Sequence, residues 1–105
     1  MILDLCGGTG AWSRPYRSAG ANVRLVDLQF TNEDVRTFEP DFEERVVGVL
    51  AAPPCTDFSY AKHFHGKGNY SHDFSEGLSI VDSCLRLIVA VHPKWWALEN
   101  PVGYL

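Results

Sequence analysis

The chain is short of cysteine and methionine, has no surplus of basic residues and carries no long apolar run, and each shortage narrows what it can be. Its three cysteines, Cys6, Cys55 and Cys84, are an odd number lying far apart. Neither a disulfide framework nor a paired-cysteine zinc site is indicated, and reduced thiols are the simpler assumption. Nine Lys and Arg against 13 Asp and Glu leave a formal charge of −4. That excludes a whole-chain nucleic-acid clamp, because neutralising phosphates requires clustered cations, so any such grip must be local or supplied elsewhere. No apolar run approaches the ~20 residues of a membrane span, and the N-terminus lacks a basic stretch followed by an apolar segment and a small-residue cleavage site. The expectation is a chain without membrane contact that stays in the cytoplasm. Internal repeats, linkers and low-complexity stretches are missing too, so 105 residues with 46% hydrophobic and 21% charged read as a single domain.

What is present is an alternation of apolar strands and helices. Met1 to Cys6 is an apolar run breaking into Gly7-Gly8-Thr9-Gly10, which predicts a buried strand entering a tight turn. A helix over Ala11–Ala19 follows, with Pro15 tolerated in its first turn and Gly20 as its stop. Asn22–Asp27 is a second strand ending in an acid. Asp34-Val35-Arg36 is either a short third strand or the turn beyond the second. Arg45–Leu50 is a buried fourth strand, left by Ala51-Ala52-Pro53-Pro54-Cys55 because two prolines cannot donate to a ladder. Residues 56–75 read as a long exposed loop, Glu76–His92 as a helix stopped by Pro93, and Trp95–Leu98 as a fifth strand. Trp95 and Trp96 point to opposite sheet faces, so both faces should be covered there. The pattern predicts a doubly wound α/β architecture with a mostly parallel sheet of about five strands. In such sheets ligands bind beyond the carboxyl ends of the strands, where three polar clusters should converge.

The first cluster is Asp4-Leu5-Cys6-Gly7-Gly8-Thr9-Gly10. Glycines at a strand-to-helix turn let backbone approach a ligand closely. A dinucleotide fingerprint would place a third glycine where Ser13 stands, which favours a nucleoside cofactor without pyrophosphate. Asp27 sits where ribose hydroxyls would be held. The second cluster is Pro53-Pro54-Cys55-Thr56-Asp57-Phe58-Ser59. A thiol fixed by a rigid Pro-Pro turn is a nucleophile if a cation or helix end lowers its pKa, although free cysteine is also commonly a small packed residue. The third is Leu98-Glu99-Asn100-Pro101, in which a partly desolvated Glu99 would hold a proton near neutrality and could protonate a heterocycle. His63, His65, His72 and His92 show no recognisable metal-ligand spacing, so no metal is expected, and Lys62, His63, His65 and Lys67 read as a locally basic segment that meets phosphate. Cys6 and Cys84 read as core residues.

Taken together and in order, these clusters resemble the cytosine-5 DNA methyltransferases over residues 1 to about 101. The first is similar to that family's D-L-F-x-G-x-G motif, the second to P-P-C-Q-x-F-S and the third to L-E-N-V. The resemblance implies a Rossmann-like methyltransferase fold and S-adenosylmethionine as cofactor. It implies a binding set of Asp4, Cys6, Gly7, Gly8, Thr9, Gly10, Trp12, Asp27, Leu28, Asp34, Val35 and Pro53, with Gly8 and Gly10 cradling the cofactor, Asp27 on its ribose, and Asp34 and Val35 at its adenine. The implied catalytic set is Cys55, Glu99 and Asn100. Cys55 would add to ring carbon 6 of a flipped cytosine while Glu99 protonates ring nitrogen 3, and duplex DNA is the implied partner.

The chain departs from the family in places. Cys6 stands for Phe, Ala11 for Gly, Thr56 for Gln, Ala51-Ala52 for a frequent Gly-Gly and Pro101 for Val, as in a divergent, phage-like branch. The family's arginine pair, target-recognition domain and final helix have no counterpart, so the expectation is a fragment or split chain completed by a C-terminal region or a second chain, with Trp95-Trp96 left partly exposed. Two other readings stand beside this one: a non-catalytic cofactor-binding module, and an NAD-dependent oxidoreductase disfavoured by the missing third glycine.

Overall fold

A computed structural model describes residues 1–54 and 75–99. They form four strands and two helices, β1 (Ile2–Leu5), α1 (Arg14–Ser18), β2 (Val23–Val26), β3 (Gly48–Ala51), α2 (Ser75–Val91) and β4 (Trp95–Leu98). The strands make one all-parallel sheet in the order β2-β1-β3-β4.

Every residue of β1 and β3 is buried, as expected of inner strands whose near-continuous apolar sequence is covered on both faces. The pleat divides their side chains. Leu3, Leu5, Val49 and Ala51 form one core with Cys84, Leu87 and Ile88 of α2. On the other face Asp4 contacts Ser13 beside α1, and Trp95 lies across Gly48 and stacks on Tyr16 of α1 with ring centroids 5.6 Å apart. A methyl group at Gly48 would lie 2.1 Å from the Trp95 ring, so glycine there is what admits the indole.

Pro15 sits in the first turn of α1 and Gly20, at φ +97°, stops it. The helix is nevertheless shorter than the predicted Ala11–Ala19, because the chain between Gly7 and Ser13 stays in turns, with the Gly10 N–H donating to the Gly7 carbonyl. α2 falls within a residue of its predicted span. His92 leaves it in a left-handed conformation and Pro93 prevents its continuation.

Three expectations are corrected. Asp34-Val35-Arg36 is not a strand, so the sheet has four strands among the described residues rather than about five. The Asp34 carboxylate accepts the Arg36 N–H and its carbonyl accepts those of Thr37 and Phe38, and these local bonds curl the backbone where a ladder would need it extended. The strand predicted over Arg45–Leu50 is displaced to Gly48–Ala51, with Ala51 pairing rather than departing. Finally, Trp96 is 53% exposed and Trp95 36%, so the two faces are not both covered at β4. β4 pairs only with β3, and its outer edge lies open among the described residues, in keeping with the partial exposure expected of a sheet lacking further strands. No helix among the described residues is long and apolar enough to cross a membrane.

Candidate functional site

The strand registers set the site's geometry. Leu5 pairs with Val26 on one side and Ala51 on the other, and Ala51 pairs with Leu98, so all four strands end at one level. The next residue of each is tied to its neighbour: Cys6 N–H donates to Val26 O, Ala52 N–H to Leu5 O and Glu99 N–H to Ala51 O, at 2.7 to 2.9 Å. The glycine turn, the Pro53-Pro54 corner and Glu99 therefore leave the sheet side by side. Between β1 and β3 the chain also reverses its direction of growth across the sheet, the position at which open parallel sheets form a ligand crevice.

A cleft of about 300 Å³ opens there, walled by Cys6, Asp27, Leu28, Asp34, Val35 and Ile80, with Ala52 and Pro54 on the β3 side. Of the binding set expected from sequence, five residues thus line one cavity: Cys6, Asp27, Leu28, Asp34 and Val35. Asp4, Gly7, Gly8, Thr9, Gly10, Trp12 and Pro53 do not line it. Asp4, Gly10 and Pro53 are buried behind it, Gly7, Gly8 and Trp12 are half-buried and Thr9 is exposed. Cys55, Asn100, Pro101, the segment 56–74 and its histidines and lysines lie outside the described residues.

Asp27 organises the cleft. Its Oδ2 accepts the Gly8 N–H at 2.8 Å, and its Oδ1 accepts those of Gln29 and Phe30 at 2.9 and 3.1 Å. One carboxylate thus joins the β1 turn to the β2 turn, and Oδ2, holding a single bond, keeps acceptor capacity for a ligand hydroxyl. Gly8 reaches it at φ +58°, a region where a side chain is disfavoured. Cys6 holds φ +59° without that freedom, at a cost of roughly 1–2 kcal/mol. Asp34 is differently engaged: its carboxylate grips the Arg36 guanidinium through Nε and Nη2, the latter at 2.7 Å, and this cation holds its pKa below the usual aspartate range.

Under the turn lies a feature that sequence reasoning missed. Asp4 is fully buried, its Oδ2 takes a short hydrogen bond from the Ser13 hydroxyl, and its Oδ1 has no partner. A methyl group at Gly7 would stand 2.1 Å from that oxygen, so the turn rests on the carboxyl group at van der Waals distance. Ser13, noted in the sequence only for not being glycine, is the buried side chain that satisfies Asp4, and it makes no cap to α1. An N-cap-type serine ahead of Pro15 signals a helix start, but nothing local signals that its hydroxyl turns toward the strand. Ser13→Ala should cost about 1–3 kcal/mol of stability by leaving both buried carboxyl oxygens unpaired, measured by urea unfolding.

Burial raises the Asp4 pKa, opposed by the Ser13 hydrogen bond and the Arg17 charge, and assisted by Asp27. Because the folded-state value lies above that of the unfolded chain, the unfolded state holds fewer protons between the two. This carboxyl's contribution to stability is therefore complete below an unfolded pKa of about 4 and is lost as pH rises through the folded value. Asp4→Asn should abolish that slope, so that the difference in unfolding free energy between wild type and variant changes in favour of the variant as pH rises from about 4.

Glu99 is exposed rather than partly desolvated as the sequence suggested, because β4 is flanked on one side only and no described residue packs over its end. Among the described residues, no group of three or more His, Cys, Asp or Glu side chains is positioned to hold a metal.

No family model and no curated protein matches the chain.

The chemistry of the cleft thus rests on its own residues. Its rim carries the carboxylates of Asp27, Glu33, Asp34 and Glu76 against the single guanidinium of Arg36, an environment suited to a neutral or positively charged ligand and unfavourable to a polyphosphate. α1, at five residues, is also too short to present the summed helix dipole that pyrophosphate sites use.

Proposed function

We propose that the chain is the S-adenosylmethionine-binding and catalytic front portion of a DNA cytosine-5 methyltransferase, built on a doubly wound, Rossmann-like sheet, with Cys55 as the nucleophile. The observation that carries this reading is the common level at which β1, β3 and β4 end, since it delivers the glycine turn, the Pro-Pro corner preceding Cys55 and Glu99 to one edge.

The residues of the cleft fit the cofactor. Asp27 has a free lone pair directed from the end of β2, Leu28 and Ile80 offer apolar walls for a purine, and the carboxylate-rich rim suits a sulfonium cation. When bound, the cofactor supplies the electrophilic methyl group. The chain's own residues do the rest. Pro53 and Pro54 fix the direction from which the Cys55 thiolate adds to carbon 6 of an extruded cytosine, which makes carbon 5 nucleophilic. Glu99, exposed without DNA, becomes shielded from water by the base it faces, and that raises its tendency to hold the proton it shares with ring nitrogen 3. Loss of the carbon 5 proton then expels the thiolate. Lys62, His63, His65 and Lys67 supply the local positive charge that this acidic chain needs to meet phosphates, and a C-terminal region or second chain supplies target recognition.

Titration calorimetry tests the cofactor assignment. S-adenosylmethionine should bind with one-to-one stoichiometry and NAD should not, whereas tighter binding of NAD would favour an oxidoreductase.

A further inference from the structure

Cys6 stands at the carboxyl end of β1, half-buried in the wall of the cleft, and Cys84 is fully buried on α2 behind it. Their side chains meet. Cys6 packs against the core cluster containing Cys84, and the two thiols are hydrogen-bonded to each other. Two small apolar residues would fill this space without any thiol chemistry, and methyl transfer through Cys55 uses neither sulfur.

We propose that Cys6 and Cys84 form a peroxide-sensitive dithiol, in which the cleft-facing thiol is oxidised first and the buried thiol closes it to a disulfide within the fold. Access decides the order, since only Cys6 borders the cleft. The shared hydrogen bond acts in the same direction: it lowers the Cys6 pKa and raises that of Cys84, leaving the outer sulfur the better nucleophile. Burial and the charges of Asp27, Asp34 and Asp4 oppose the lowering. In the first step the Cys6 sulfur attacks one oxygen of hydrogen peroxide, the O–O bond breaks, and the departing hydroxide takes the thiol proton to leave as water. Cys6 is now a sulfenic acid. In the second step the Cys84 sulfur attacks the sulfenic sulfur, and its proton leaves with the displaced hydroxide as a second water. Two thiols are oxidised by two electrons and one peroxide is reduced to two waters.

Closure ties the glycine turn to α2 and removes a thiol from the cleft wall. Its effect on cofactor entry rests on the function proposed above; the thiol chemistry itself does not.

The test uses the whole chain carrying Cys55→Ser, so that two thiols remain. Brief treatment with hydrogen peroxide, then alkylation in denaturant and peptide mass mapping, should lower the mass by ~2 Da, remove both free thiols and link the Cys6 and Cys84 peptides within one chain, reversibly with dithiothreitol. Adding Cys84→Ala should halt the reaction at a sulfenic acid on Cys6 that dimedone labels. Adding Cys6→Ser should leave the Cys84 thiol unreacted, with circular dichroism confirming that each variant is folded. Sulfinic acid on Cys6 beside a free Cys84, a cross-link only between chains, or undiminished oxidation of Cys84 in folded Cys6→Ser would each overturn the proposal. A disulfide formed in a chain that does not bind S-adenosylmethionine supports the dithiol and counts against the cofactor assignment alone.

Discussion

Cys55→Ser abolishes transfer of a labelled methyl group from S-adenosylmethionine to cytosine-containing duplex DNA and leaves cofactor affinity nearly unchanged. A thiol is a few per cent thiolate near neutrality and intrinsically nucleophilic, whereas a serine hydroxyl is neither without a dedicated base. The cofactor cleft is lined by β1, β2 and α2 residues together with Ala52 and Pro54, so a change at position 55 removes the reacting atom without altering those walls. Filter-binding of the labelled methyl group measures the first effect and calorimetry the second. Activity equal to wild type would rule out the nucleophile, and a parallel loss of cofactor binding would point to a structural part for Cys55 instead.

Asp27→Ala weakens S-adenosylmethionine binding ~10–100-fold, the loss of about 1.5–3 kcal/mol expected for hydrogen bonds from ribose hydroxyls to a charged acceptor. The same substitution strips the Gly8, Gln29 and Phe30 N–H groups of their acceptor, so it also loosens the two turns that shape the cleft. Asp27→Asn separates the contributions. Its amide oxygen can still hold one turn but carries no charge, so it should restore most of the thermal stability lost in Asp27→Ala while recovering less of the affinity. Variants that lose stability and affinity in strict proportion would show that Asp27 acts on the ligand only through the turns.

Much of this arrangement is legible in the sequence, for reasons that differ by element. β1 and β3 announce themselves because inner parallel strands are apolar on both faces, and α2 because Val81, Cys84, Leu87 and Ile88 recur on one side. Pro15, Gly20 and Pro93 act locally and stop or admit helices where expected. The segment after Asp34 reads ambiguously because the side-chain bond that turns it competes with extension on nearly equal local terms. Ser13 and the Cys6–Cys84 contact are invisible to local patterns, since each joins residues that only the folded sheet brings together. Glu99 shows a related gap: its place at the end of β4 follows from sequence, but its exposure follows from β4 lying at an edge. Asp4 was legible as part of a motif, and its burial as an almost unpartnered carboxyl under Gly7 was not.

The central claim is covalent attack by one thiol on cytosine, and a duplex containing 5-fluorocytosine reports on it directly, because fluorine at carbon 5 blocks the elimination that would release the enzyme. Incubation of the chain with this DNA and S-adenosylmethionine should yield a complex that survives denaturing electrophoresis, with the modified peptide mapping to Cys55. A complex linked through any other residue, or none at all from chain that demonstrably binds both the cofactor and the DNA, would contradict it.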